Sequence, residues 1–115
     1  KDDEYEKQKK EKISFTLTAI GDVMCHNTQY WDAYHKETGE YDFSYVFEDI
    51  KYYTQKSDIT VGSLETSFAG EERGYSNYPT FNSPDALAYS LKDIGAKDYT
   101  FLTRDDNNYF AIKIA

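Results

Sequence analysis

The sequence predicts an α/β fold built on a mostly parallel sheet. Three short runs rich in β-branched and aromatic residues, at 13–20, 59–64 and 99–103, read as strands. Two amphipathic stretches, at 43–53 and 83–94, fall between them and read as helices. Strands alternating with helices favour parallel pairing through right-handed crossovers. The length of 115 residues fits one small domain.

Taken in order, residues 1–12 (KDDEYEKQKKEK) hold five Lys and five acidic residues and read as a polar spacer or disordered end. Such a stretch suits the gap between a removed anchor and a folded domain. Ile13, Phe15 and Leu17 alternate with Ser14, Thr16 and Thr18, which predicts a strand with that apolar face buried. The strand runs through Ala19-Ile20 to a turn at Gly21, leaving Asp22 just past its end. Residues 23–41 show no clean period and read as a loop with one helical turn.

Phe43, Val46, Phe47, Ile50 and Tyr53 line one face of a helix that Asp42 or Ser44 can cap and that ends near Ser57. Ile59–Leu64 is the second strand and delivers Glu65 to its carboxyl end. Residues 66–82 form a long loop. Ser83-Pro84 reads as an N-cap followed by Pro at the first helical position. Leu87, Leu91 and Ile94 supply that helix's apolar stripe, and Gly95 suits its C-terminal stop. Tyr99–Thr103 is the third strand. The remainder, 104–115, is atypical, although Phe110, Ile112 and Ile114 alternate as a further strand would.

Leu, Ile, Val and Phe make up only 22 of the 115 residues, and the formal charge is −8. That pairing often signals disorder, but twelve Tyr and one Trp add large buriable surfaces and predict a folded domain with a thin core. The spacer is neutral, so the whole negative charge falls on 13–115. Such a domain repels phosphate backbones, which disfavours nucleic acid as a partner. No run approaches the roughly 20 apolar residues of a membrane helix. A single cysteine, Cys25, makes no internal disulfide and is expected to be buried.

Ligands of a parallel sheet collect at the carboxyl ends of its strands. Asp22 follows the first strand, Glu65 the second, and His26 lies four residues beyond Asp22. Two carboxylates and an imidazole suit a divalent cation such as Mn²⁺, Zn²⁺ or Mg²⁺. The alternative is that Asp22 caps a turn while Glu65 and His26 are ordinary surface residues. His35 is expected to be exposed. Gly70, Gly74, Tyr75, Tyr78 and Phe81 either line a groove for a polymer or pack the long loop against the sheet.

Four segments then carry a resemblance: Gly21-Asp22-Val23-Met24-Cys25-His26, YDFSYVFEDIK (41–51), SDITVGSLETSFAG (57–70) and YPTFNSPDALAYSLKDIGAKDYTFLT (78–103). In order and spacing, 13–103 resembles the bacterial capsule synthesis family of poly-γ-glutamate type. The resemblance implies the βαβαβ portion of a metallophosphatase-like (calcineurin-like phosphoesterase) sandwich with a mostly parallel sheet. It implies an extracytoplasmic protein, at the cell surface or membrane-anchored. An anionic polymer or its precursor and other capsule-assembly proteins would be its partners, with a homo-oligomer as a further option. Asp22 matches the family's Gly-Asp motif, Glu65 its Asn-Leu-Glu motif, and His26 a position often held by His.

Three departures stand out. Ser63 replaces the Asn of Asn-Leu-Glu. Asn107 and Asn108 stand displaced where the family has Asn-Asn-His, and no His follows them. Further strands and His ligands of the family have no counterpart before Ala115. These departures imply a partial form that binds metal weakly and is catalytically inactive, although fuller relatives look like hydrolases or transferases. A non-catalytic binding or assembly subunit is the alternative expectation, and a generic metallophosphoesterase fragment the second.

Overall fold

The computed structural model describes residues 12–94 and the backbone of residues 99–105 and 108–114. Residues 1–11 of the expected spacer 1–12, Gly95 and Asn107 lie outside the described residues. Strand β1 (Leu17–Val23) leads into a six-residue helix, α1 (Asn27–Asp32). A two-residue hairpin follows, β2 (Tyr34–His35) with β3 (Glu40–Tyr41), turning through Gly39 at φ 73°. A 3₁₀ turn over Ser44–Phe47 runs into helix α2 (Glu48–Lys56), then strand β4 (Ile59–Leu64). After a long loop come α3 (Ala86–Asp93), β5 (Tyr99–Asp105) and β6 (Asn108–Ile114).

The main sheet has the order β1-β4-β5-β6. β1 pairs β4 in parallel, β4 pairs β5 in parallel, and β6 returns antiparallel along β5. The expected α/β class and parallel pairing are therefore present. The alternating tail forms a strand within its own chain.

The covered face of β1 is the opposite of the one expected. Ile13, Phe15 and Leu17 are 91%, 62% and 54% exposed, and the strand begins at Leu17 rather than Ile13. The register explains this, because neighbours across a parallel ladder share a face. Thr18 stands beside Thr60, and buried Thr60 donates its hydroxyl to the Thr54 carbonyl of α2. The helices thus cover the Thr18, Thr60 and Leu64 face. Leu17, beside Ile59, falls on the other.

A second correction concerns Asp22, which lies inside β1 and not beyond it. Ala19 pairs Val61 but Asp22 pairs Ser63, so β1 carries one extra residue between them. Gly21 sits in that bulge instead of making a turn, and the bulge resets which residue meets Ser63.

Only two of the five residues in the expected α2 stripe are buried. Phe43 and Phe47 enter the core, while Val46, Ile50 and Tyr53 are exposed. The segment opens as a 3₁₀ turn, whose three residues per turn shift later positions off a 3.6-residue stripe. Thr54 takes the inward place and donates its hydroxyl to the Ile94 carbonyl at 2.5 Å. The α3 stripe holds: Leu87, Leu91 and Ile94 are all buried beside Leu64. Ser83 does not cap α3, since Asp85 is its N-cap residue. Buried Ser83 instead shares a 2.5 Å hydroxyl–hydroxyl bond with Thr66.

Candidate functional site

Because β1 and β4 are parallel, their carboxyl ends meet at one edge of the sheet, where Glu65 donates its backbone N–H to the Val23 carbonyl at 2.9 Å. Beyond this edge lies an open groove of about 870 Å³. Met24, His26, Leu64 and Glu65 line it from the strand ends, and the long loop lines it through Thr66, Ser67, Ala69 and much of 73–82. That volume falls within the range of small-molecule sites.

One side chain makes three of the hydrogen bonds that hold the loop. Asn82 is 6% exposed, and its Oδ1 accepts the Ala69 N–H at 2.8 Å. Its Nδ2 donates to the Gly70 carbonyl at 3.0 Å and the Gly74 carbonyl at 2.9 Å. Those glycines flank the 3₁₀ turn Glu71–Arg73 at φ 88° and 73°, a left-handed region that disfavours side-chain-bearing residues. The main chain of Asn82 also bridges to Ser67 and Ser76. Arg73 is thereby presented at the groove on a loop pinned at both ends.

One wall is aromatic. Tyr78, 76% exposed, meets Phe81 edge-on with ring centroids 6.4 Å apart, and Phe81 meets the His26 ring at 5.2 Å. Of the residues expected either at a groove or in loop packing, Gly74, Tyr78 and Phe81 line this cavity. Tyr75 packs instead between Tyr30 and Tyr41, at 6.1 and 5.3 Å, and ties the loop to the β2–β3 hairpin. Burial raises the Tyr41 and Tyr75 hydroxyl pKa values, and the Glu71 carboxylate adds to the effect.

The expected trio is divided. His26 and Glu65 line the groove, but Asp22 borders a second cavity of about 170 Å³ with Val23, Cys25, Phe43 and Leu87. His26 caps α1, with its backbone N–H donating to Gln29 Oε1 at 2.7 Å. Its Nδ1 lies 2.6 Å from Asn77 Oδ1. Among the described residues, no three His, Cys, Asp or Glu side chains converge as a metal-holding group. As placed, Asp22 borders a different cavity from His26 and Glu65, so the three do not form one cation-holding group.

Ser63 is half-buried in β4 beside Asp22. Asn108 opens β6 opposite Asp105, at the carboxyl end of β5. Cys25 is buried, which raises its thiol pKa against weaker opposing hydrogen bonds from Ser83 and Tyr30, and His35 is exposed. A buried thiol of raised pKa is a poor nucleophile. Arg73, Asn77 and Asn82 were not singled out by sequence. The one available signal was the Gly70-x-x-x-Gly74 spacing, which marks a tight turn without saying what it holds.

A family model described as bacterial capsule synthesis protein PGA_cap matches residues 16–101. No curated protein and no solved structure matches the chain.

Proposed function

Since the chain belongs to the bacterial capsule synthesis protein family, we propose that it serves the making or export of poly-γ-glutamate at the cell surface, and that its groove holds a stretch of the polymer or its precursor. The observation carrying this reading is the open groove at the strand ends, whose walls combine one guanidinium with an aromatic face. A γ-linked glutamate chain repeats a carboxylate, an apolar spacer and an amide. Arg73 suits the carboxylate, Tyr78, Pro79 and Phe81 suit the spacer, and Ser67 and Thr80 suit the amide. We further propose that the β1-β4-β5 run is the βαβαβ portion of a metallophosphatase-like sandwich. Any Mn²⁺, Zn²⁺ or Mg²⁺ would then bind weakly, because the candidate ligands are divided between two cavities.

Among the described residues no helix is long and apolar enough to cross a membrane. The proposed surface location therefore rests on the family alone.

Calorimetric titration with γ-linked oligoglutamate tests the groove. Charge-assisted hydrogen bonds are worth about 1.5–3 kcal/mol, so Arg73→Ala should weaken binding roughly tenfold or more. Tyr78→Ala should weaken it less. The reading fails if the wild type does not bind, or if Arg73→Ala binds equally well.

A further inference from the structure

The groove holds an imidazole whose orientation is set by a residue 51 positions away in sequence. His26 Nδ1 and Asn77 Oδ1 are 2.6 Å apart. An amide oxygen only accepts, so this contact requires the proton on Nδ1. The neutral ring then carries its lone pair on Nε2. Phe81 meets the same ring at 83°, with centroids 5.2 Å apart, and limits its rotation. The ring's backbone is fixed too, because His26 is the N-cap of α1 and Gln29 holds its N–H. The contact with Asn77 uses Nδ1 and leaves Nε2 outside it.

We propose that Asn77 is a positioning residue that holds His26 as the Nδ1–H tautomer and so reserves Nε2 as a hydrogen-bond acceptor for an N–H or O–H group in the groove. A neutral imidazole has one donor nitrogen and one acceptor nitrogen, and the partner of the first decides the role of the second. His26, Glu65 and Arg73 line one groove, so an acceptor at Nε2 stands in the same cavity as a carboxylate and a guanidinium. The naming of a ligand group rests on the proposed function: for a γ-linked chain, the group meeting Nε2 is the amide N–H. The tautomer itself does not depend on that reading.

The test is a long-range ¹⁵N–¹H correlation spectrum of the labelled full chain, free of ligand, at a pH where imidazole is neutral. The chain has two histidines, and exposed His35 serves as internal standard, assigned with His35→Gln. His26 should show a protonated Nδ1 and a pyridine-like Nε2. Asn77→Ala should move the proton to Nε2, and Asn77→Asp, which keeps an acceptor oxygen, should retain the wild-type pattern. A loss of packing alone would not exchange the two nitrogens and then be rescued by Asp. A wild-type ring protonated on Nε2, which an Asn77 amide donating to Nδ1 would produce, overturns the proposal. So does an Asn77→Ala ring unchanged from wild type. Polymer binding is scored separately: its absence defeats the proposed function and leaves the tautomer result standing.

Discussion

Asn82 shows how much a single side chain can organise. Its amide satisfies Ala69, Gly70 and Gly74 from a buried position, so truncation strands three main-chain groups at once. Leaving buried polar groups unpaired costs about 1–3 kcal/mol each where water cannot reach them. Asn82→Ala should therefore lose about 2–3 kcal/mol in urea unfolding, since part of the loop can rehydrate. Asp58 does a comparable job at the amino ends of β1 and β4. Its Oδ2 accepts the Thr16 N–H at 2.8 Å and the Thr16 hydroxyl at 3.0 Å, which hold its carboxyl pKa below the usual range. The folded pKa is thus depressed, so the stabilisation is complete above the unfolded value of about 3.9 and is lost as pH falls through the folded value. Unfolding measured against pH should show a steeper acid limb for the wild type than for Asp58→Asn. Equal limbs would show that the Thr16 contacts contribute nothing.

Among the elements, α3 and α2 contrast. The α3 stripe was legible because Leu87, Leu91 and Ile94 keep one period and face Leu64 of the sheet. Leu91 is fully buried, so Leu91→Ala should cost about 2–5 kcal/mol. The α2 stripe misled because a 3₁₀ turn precedes the helix and rotates Ile50 and Tyr53 outward. Ile50→Ala should cost less than about 1 kcal/mol by the same measurement. Comparable losses for the two would mean that the expected stripe is packed after all. β4 was read with both ends correct, and Glu65 falls at the sheet edge as its position after Leu64 required. β1 was not, because a bulge has no signature in hydrophobic alternation beyond the glycine it contains.

At the scale of the molecule, among the described residues, the helices cover the Thr18, Thr60 and Leu64 face of β1 and β4 and leave Phe15 and Leu17 exposed, with β1 at the edge of the sheet. An uncovered apolar face beside an unpaired strand edge favours association. The net charge of −8 opposes close approach, but salt screens it over roughly 8 Å at physiological ionic strength. Sedimentation should show concentration-dependent self-association in moderate salt, reduced by Leu17→Lys, which leaves the helix-covered face untouched. A monomer at every concentration, with or without the substitution, would refute this.

The alternation of strands and helices, the α3 stripe, the second strand and the carboxylate after it were all readable from the chain. Each depends on residues within a few positions of one another, where period and turn chemistry act directly. The family resemblance likewise lay in short consecutive motifs, and the match over 16–101 bears it out. Packing alone settled which face of β1 is covered, because the Thr18 and Leu17 faces are both plausible until Thr60 engages Thr54 of α2. Packing also placed His26 and Glu65 in one groove and Asp22 beside another cavity. Long-range contacts such as Thr16 to Asp58 and His26 to Asn77 join residues 42 and 51 apart. No local pattern encodes a partner at that distance, since the chain must close the intervening loops before the pair can form.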